Sequence, residues 1–307
     1  MSGLKSTGSI LVGERKVHYG VPYQGSKNSI AQWVVGNLPP AEVFVDLFAG
    51  GCAVTHAAML SGKFARYIVN DLGDAPDVFI DAANGGYADY DVVPTREEFD
   101  ASADYATRLL YSFGNNCRDY LCGKQVERVK VAASRMLLAP TLHERRLLYR
   151  GFVKCLEVVQ ATEGLSRLQG LEGLERLQRL QGLAGMDRLE RLRADYRDVV
   201  LPDDATIYAD PPYRGTDCRG YAGGCFDYHA FDAWLAECGR LVIVSEYTCP
   251  EGCVKIAGKE KRVTMSATDN QTRKTEGLYV HESQLGNYLT RMSDSGKSGV
   301  EQGTLGC

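Results

Sequence analysis

The sequence is poor in histidine and has no closely paired cysteines. Its 307 residues include five histidines and ten cysteines, and the nearest cysteine pair, Cys249 and Cys253, has three residues between its members. No histidine lies at zinc-site spacing from these cysteines. The pattern argues against both a metal site and a disulfide framework. We expect reduced thiols that pack as small apolar side chains.

Long apolar runs are also missing. No stretch approaches the roughly 18 residues that a membrane span requires. The first ten residues, Met1–Ile10, lack the basic and apolar pattern of a secretion signal. We therefore expect a cytoplasmic protein without a membrane partner. A chain of this length accommodates one α/β core and a smaller insertion.

The charge is small and unevenly distributed. A net charge of −4 speaks against a nucleic-acid partner, because affinity for phosphates comes mainly from Lys and Arg. However, residues 105–154 contain ten basic side chains and three acidic ones, and residues 255–274 contain six and two. Solvated helix faces have the same composition. The charge pattern therefore leaves a nucleic-acid partner open.

Several short apolar runs predict a buried parallel sheet. The first run is followed by a glycine turn and an alanine-rich segment, which is the pattern of a strand, a turn and a helix. Together with the second run it forms a β-α-β unit, so we predict an α/β fold with a doubly wound, Rossmann-like sheet. Residues 95–159 have helical spacing and interrupt this sheet. The predicted strands are 42–47, 65–69, 205–209 and 240–245.

Leucine or methionine recurs at every third position from Leu165 to Leu192. Such a row drifts around an α-helix of 3.6 residues per turn, and long 3₁₀ helices are rare. A small solenoid, a broken helical hairpin and an oligomerisation patch all remain open. We interpret this leucine repeat as an insertion outside the chemistry, with self-association as one role for it.

The tetrapeptide Asp210-Pro211-Pro212-Tyr213 follows a predicted buried strand, at the edge where ligands bind to open α/β sheets. Asp210 and the Pro211 carbonyl can accept both hydrogens of an exocyclic amine, and Tyr213 offers a flat face for a base. Prolines have no N–H and restrict the backbone there. The structural alternative is a Pro-Pro turn closed by an aromatic side chain.

A second group of residues suggests a cofactor site. The turn Asp46-Leu47-Phe48-Ala49-Gly50-Gly51 has the glycine-rich form that serves nucleotides, although structural crossovers use it too. Asp71, at the end of the next strand, can accept ribose hydroxyls. An ordinary helix N-cap is the alternative for Asp71.

With these motifs in this order, the chain resembles the Dam-type (D12 class) N6-adenine DNA methyltransferases of phages and bacteria. The resemblance covers about residues 19 to 285 without the leucine repeat, in the α order with the cofactor motifs first. Tyr23-Gln24-Gly25-Ser26-Lys27 matches the family's Tyr-x-Gly-x-Lys segment residue for residue. It implies an S-adenosylmethionine-dependent methyltransferase fold with a mostly helical target-recognition insertion, acting on an adenine flipped out of double-stranded DNA.

The resemblance also implies a role for each matching residue. Lys27 pairs with the carboxylate of S-adenosylmethionine, and Asp195 and Tyr196 contact its adenine. The implied cofactor-binding residues are Tyr23, Lys27, Asp46, Phe48, Ala49, Gly50, Gly51, Asp71, Asp195 and Tyr196. The implied DNA-binding residues are Asn115, Asn116, Arg118 and Tyr120, and the catalytic residues are Asp210, Pro211, Pro212 and Tyr213.

The motifs divide the chain into segments. Glycine-rich residues 214–225 are interpreted as a flap over the base, with an ordinary surface loop as the alternative. We expect a flexible N-terminus at 1–10, a catalytic domain at 11–90 and 195–290, a target-recognition insertion at 91–160, the leucine repeat at 161–194 and a disordered tail at 291–307.

Three other functions remain open. Methylation of cytosine N4 needs the same geometry but more often has Ser at the position of Asp210, and methylation of a protein glutamine more usually has Asn there. A catalytically silent DNA-binding or scaffolding protein is the non-enzymatic alternative. The insertion differs from the family in detail, so the recognition sequence and a link to restriction-modification cannot be transferred.

Overall fold

The computed structural model describes residues 17–160, 171–183, 189–214, 226–264 and 271–298. Its strands are β1 (Val43–Asp46), β2 (Arg66–Asn70), β3 (Leu189–Leu192), β4 (Thr206–Ala209), β5 (Val242–Glu246), β6 (Cys253–Thr264) and β7 (Gln271–His281). Its helices are α1 (Ala31–Gly36), α2 (Ala53–Ser61), α3 (Ala75–Ala83), α4 (Arg96–Ala101), α5 (Tyr105–Tyr111), α6 (Glu127–Leu138), α7 (Leu142–Gln160), α8 (Glu172–Gln181), α9 (Tyr228–Glu237) and α10 (Leu285–Ser298).

The seven strands form one sheet in the order β3-β2-β1-β4-β5-β7-β6. The first five strands in this order are parallel, and β7 is antiparallel to both β5 and β6. The predicted α/β sheet is confirmed, and its topology is consistent with a methyltransferase fold. The inner strands are continuous apolar runs because helices cover both faces of a parallel sheet.

The strand order reverses between β1 and β4. Chain connections leave these two neighbouring strands in opposite directions, which opens a crevice at their carboxyl ends. Asp46 is the last residue of β1, and Asp210 directly follows β4. The predicted catalytic tetrapeptide therefore lies where this class of sheet binds its ligands.

The structure corrects the interpretation of the leucine repeat. Residues 161–170 and 184–188 lie outside the described residues, but the parts between and after them belong to the core. Leu174, Leu177 and Leu180 are buried on α8, which packs against α3 and α5. A spacing of three drifts by only about 60° per step, so a helix of ten residues ends before the apolar row has gone around it.

The end of the leucine repeat is part of the seven-stranded sheet. Leu189–Leu192 form the edge strand β3, which pairs in parallel with β2. The boundary predicted at residue 194 is therefore wrong, because four residues assigned to an insertion complete the sheet.

The disordered tail predicted at 291–307 is wrong for its first part. Residues 291–298 continue α10, and 299–307 lie outside the described residues, as does the predicted flexible N-terminus at 1–10. Tyr288 and Met292 pack on the core of the sheet, and Arg291 donates hydrogen bonds to the carbonyls of Asp204 and Ala205. Tyr288 and Met292 are four residues apart and so lie on one face of the helix. Their packing stabilises α10 despite the Gly and Ser content that predicted disorder.

Between α3 and β3 the long regular elements of the described chain are the helices α4 to α8. The predicted helical character of 95–159 is therefore confirmed. None of the helices in the described part of the chain combines the length and the apolar character that a membrane crossing requires.

We predict that Leu177→Ala destabilises the whole protein. Leu177 is fully buried, so its truncation should lower the free energy of unfolding by about 2–5 kcal/mol, measured by urea denaturation. The matched control is Leu142→Ala, because Leu142 is 64% exposed and its truncation should cost no more than about 0.5 kcal/mol. Equal costs would show that α8 is not part of the core.

Candidate active site

Three carboxylates lie at the carboxyl edge of the parallel strands. Asp46 ends β1, Asp71 follows β2 and Asp210 follows β4. The register of β1 with its neighbours aligns Asp46 with Tyr208 on one side and with Val69 on the other. Both Asp71 and Asp210 raise the pKa of Asp46 electrostatically, so the three groups share one electrostatic environment.

Lys27 forms an ion pair with Asp210. Its Nζ donates to Oδ1 and Oδ2 of Asp210 at 2.7 Å and 2.6 Å, and only 6% of the Lys27 side chain is exposed. Burial lowers the pKa of Lys27, but the neighbouring carboxylates of Asp210 and Glu276 outweigh it and hold the pKa above its usual value. The pair therefore joins the Tyr-x-Gly-x-Lys segment to the predicted catalytic tetrapeptide.

Tyr213 is held by a buried hydrogen-bond network. Its hydroxyl donates to Oε1 of Glu276 on β7 and lies 3.3 Å from the Ser245 hydroxyl on β5. Ser245 also donates to Glu276 Oε1, at 2.7 Å. The Lys27 ammonium lies 4.5 Å from the centre of the Tyr213 ring, and the Tyr247 ring meets it edge-on at 4.5 Å. These contacts fix the ring directly beside Asp210.

The chain after the tetrapeptide is anchored as well. Arg214 donates through its guanidinium to both oxygens of Asp232, each at 2.6 Å, and its backbone N–H donates to Glu246 at 3.1 Å. Tyr228 donates to the carbonyl of Tyr213 at 2.8 Å. Of the flap predicted at 214–225, residues 215–225 lie outside the described residues.

The glycine turn and the Tyr-x-Gly-x-Lys segment pack on each other. A Cβ at Gly50 would lie 2.7 Å from the Tyr23 ring, and one at Gly51 would lie 2.6 Å from Tyr23 Cβ. Gly50 also has a positive φ of 46°, which favours glycine. The Val21 N–H donates to the Gly51 carbonyl at 2.8 Å. The glycines are therefore required for this close approach.

Asp71 supports the glycine turn rather than a helix. Its Oδ2 accepts the Gly50 N–H at 2.8 Å, and its Oδ1 accepts the Gly73 N–H at 2.7 Å. The N-cap position of α3 is Asp74, so the alternative of Asp71 as the N-cap is wrong. The role of Asp71 as an acceptor of ribose hydroxyls stays a prediction.

Asp46 is a buried carboxylate with one satisfied oxygen. Oδ2 accepts the Thr55 hydroxyl at 2.6 Å, whereas Oδ1 is buried and has no hydrogen-bond partner among the described residues. Burial is the main cause that raises the pKa of Asp46 to about 7, against the opposing effect of the Thr55 hydrogen bond. An unmatched buried acceptor is costly unless it serves a ligand.

The remaining residues predicted to bind the cofactor divide into two groups. Tyr196 is buried in an aromatic cluster with Phe231, Trp234 and the half-buried Phe48, whose ring lies 5.6 Å from that of Tyr196. The structure thus brings Phe48 of the glycine turn to the predicted Asp-Tyr pair. Asp195 itself is paired with Arg197, whose Nε donates to it at 2.7 Å.

The predicted DNA-binding loop lies in the connection 112–126 between α5 and α6. Arg118 is exposed, while Asn116 pairs with Asp119 and Asn115 donates to the carbonyl of Leu109. Tyr120 is 7% exposed and its hydroxyl donates to the Pro94 carbonyl at 2.6 Å. Tyr120 therefore supports the loop from inside, and this buried position corrects its assignment as a DNA-binding residue.

Phe113 was missed by the sequence interpretation. Its side chain is 67% exposed beside Gly114, which has a positive φ of 61°. Phe113 precedes Gly-Asn-Asn and belongs to no helical or strand pattern that would bury it. This combination in the sequence could have identified Phe113 as an exposed aromatic residue. Glu276 was missed too, since it lies outside the motifs and strands that the sequence predicts.

Residues 23–83 match the family model of the D12 class N6 adenine-specific DNA methyltransferases. The predicted family resemblance is thereby confirmed. The matched segment contains Tyr23, Lys27, the glycine turn and Asp71, and it ends before the tetrapeptide. Methyltransferases of this family generally use S-adenosylmethionine. No curated protein matches the chain in sequence.

We predict that Asp46→Asn stabilises the protein in a pH-dependent way. With a pKa of about 7 in the folded state and about 3.8 when unfolded, Asp46 lowers the unfolding free energy as pH rises from about 4 to about 7. The melting temperature of Asp46→Asn should therefore exceed that of the parent by more at about pH 8 than at about pH 5.

The control for this prediction is Asp203→Asn, since the side chain of Asp203 is 84% exposed. It should give a smaller change in melting temperature at both pH values. A difference between Asp46→Asn and the parent that is the same at both pH values would contradict the raised pKa.

Proposed function

We propose that this protein transfers a methyl group from S-adenosylmethionine to the N6 amine of an adenine flipped out of double-stranded DNA. The observation that carries the proposal is the position of Asp210 and Tyr213 at the switch point of the sheet, joined through Lys27 to the segment that matches the family. The acceptor Asp210 and the aromatic Tyr213, which is 9% exposed and has Lys27 on its ring, form with the nucleotide-type glycine turn the set that this reaction requires.

The cofactor half of the proposed site fits its ligand. The buried, unmatched Oδ1 of Asp46 is an acceptor for the ammonium group of a methionine moiety. Asp71, which already orders the glycine turn, retains lone pairs for ribose hydroxyls, and Phe48 and Tyr196 offer apolar contact to an adenine. When bound, S-adenosylmethionine supplies a methyl group already activated by its sulfonium.

Asp210 provides the chemistry at the accepting amine. The N6 lone pair of adenine is delocalised into the ring, and hydrogen bonds to Asp210 and to the Pro211 carbonyl favour the tetrahedral nitrogen that can attack. The new N–C bond forms as the C–S bond breaks and its electron pair goes to sulfur. The nitrogen then loses one proton, for which the Asp210 carboxylate is the nearby acceptor.

Lys27 has a different role from the one that the family resemblance implies. Its ammonium lies on Asp210 rather than on the glycine turn, at hydrogen-bond distance from both carboxylate oxygens. We therefore assign Lys27 to the ionisation and orientation of Asp210, and the pairing of Lys27 with the cofactor carboxylate becomes the weaker alternative.

The described insertion offers two contacts for DNA. Phe113 is an exposed apolar side chain at a loop tip, of the kind that fills the space left by a flipped base. On α7, Arg146, Arg150 and Lys154 are exposed at spacings of four and form a basic stripe about 12 Å long. Such a stripe can follow phosphates without reading a sequence.

We predict that Asp210→Asn abolishes most methyl transfer. The variant keeps the size of the side chain but loses the charged acceptor, so the rate should fall by about 100-fold or more. Incorporation of labelled methyl groups into DNA from a methylation-deficient bacterium measures this, and digestion to nucleosides distinguishes N6-methyladenine from N4-methylcytosine.

Asp203→Asn is the matched control in this assay and should retain the parent rate, because Asp203 is exposed on the loop before β4. Labelled methyl groups on cytosine would show that the target base is cytosine and not the proposed adenine. Full activity of Asp210→Asn, or no label in DNA with the parent protein, would refute the enzymatic proposal.

We also predict that Arg146→Ala combined with Arg150→Ala weakens DNA binding at every sequence. If each arginine contacts one phosphate, the slope of log affinity against log salt should decrease by about 1 for each. Fluorescence anisotropy over a salt series measures this slope. Arg66→Ala is the control, since Arg66 is exposed at the opposite end of the parallel strands, and an equal change in slope for Arg66→Ala would exclude a specific role for α7.

A further inference from the structure

Glu276 is a second carboxylate at the catalytic centre. It lies on β7, next to the residue that pairs with Glu246 at the end of β5, and its side chain is fully buried. Oε1 accepts hydrogen bonds from Tyr213 and Ser245 and lies 3.9 Å from Lys27 Nζ. Oε2 is buried and has no hydrogen-bond partner among the residues that the structure describes.

The proposed reaction places two demands on Asp210. Lys27 donates to both of its oxygens, yet the amine of the target base must donate to the same carboxylate. The two donors compete for one acceptor. An ammonium displaced into a buried site without another anion would be strongly unfavourable.

We propose that Glu276 is the alternative counter-ion for Lys27, to which the ammonium shifts when the target amine binds to Asp210. This inference rests on the proposed function. The shift is short, because Lys27 already lies within ion-pair distance of both carboxylates. Glu276 acts through Lys27 and is therefore a positioning residue.

Two other acidic groups, Asp46 and Glu246, interact electrostatically with Asp210. Asp46 has an unmatched oxygen of its own, but among the described residues the ion pairs of Lys27 are with Asp210 and Glu276. Glu246 accepts the backbone N–H groups of Tyr247 and Arg214, at 2.7 Å and 3.1 Å. The Tyr213 ring faces Lys27, and Tyr247 interacts with Lys27 electrostatically. Both phenols carry no charge in their ordinary state. Among the described residues around Lys27, Glu276 thus has the carboxylate oxygen available to receive it.

A purely structural role for Glu276 makes a different prediction. Holding Tyr213 and Ser245 requires only an oxygen that accepts two hydrogen bonds, and the amide of Gln has one. Glu276→Gln therefore retains the structural contacts and removes the charge, whereas Glu276→Asp keeps the charge and shortens the reach.

The experiment measures kcat and KM for DNA at saturating S-adenosylmethionine for the parent, Glu276→Gln, Glu276→Asp, Lys27→Met and the combinations with Lys27→Met. We expect Glu276→Gln to lower kcat by about tenfold or more, with KM for DNA and cofactor affinity within about twofold. We expect Glu276→Asp to retain more kcat than Glu276→Gln. In the Lys27→Met background, the Gln substitution should have little further effect, because no ammonium remains to be received.

Glu246→Gln is the matched control, since it removes another buried charge at the same edge. Its effect should be additive with Lys27→Met. If circular dichroism shows that Glu276→Gln does not fold, Glu276→Asp is compared in the parent and in the Lys27→Met background instead. We then expect Glu276→Asp to lower kcat only where Lys27 is present.

The outcomes separate the inference from the proposed function. Three results would overturn the role of Glu276 while the parent protein still methylates DNA. They are a kcat of Glu276→Gln equal to that of the parent, a kcat of Glu276→Asp below that of Glu276→Gln, and a loss of kcat on Glu276→Gln that persists in the Lys27→Met background. A parent protein that transfers no methyl group overturns the proposed function, and the inference with it.

Discussion

The ion pair between Lys27 and Asp210 connects two segments that are 183 residues apart in the chain. Taking both charges out of water is costly, and the cost is met only if geometry and further hydrogen bonds are favourable. Here both oxygens of Asp210 are engaged, and Tyr213 and Glu276 surround the ammonium. The placement of the tetrapeptide therefore depends on the N-terminal segment being held in one position.

Elements far from the chemistry supply that support. His56 accepts the Gly20 N–H at 3.0 Å, and its burial lowers its pKa to about 4, so it acts as a neutral acceptor. From α8, Arg179 donates to the carbonyl of Tyr19. The helix from the leucine repeat thus fixes the loop that leads into Tyr23 and Lys27, which explains why it is packed in the core.

Local patterns predicted the parts of the site that lie in continuous segments. The strands, the glycine turn and the tetrapeptide each follow from apolar runs and turn residues within a few positions, and parallel strands then bring Asp46, Asp71 and Asp210 to one edge. The sheet and the order of the cofactor motifs could therefore be predicted from the sequence.

The missed features depend on tertiary contacts instead. No residue within four positions of Glu276 indicates that Tyr213 donates a hydrogen bond to it. Tyr120 belongs to a loop with more than one aromatic residue, and its packing on Phe99 makes it the buried one. Likewise, β3 is a strand because β2 offers an unpaired edge, not because its sequence alternates. These features depend on which side chains contact each other across the fold, and the secondary-structure propensity of a local segment carries no information on such contacts.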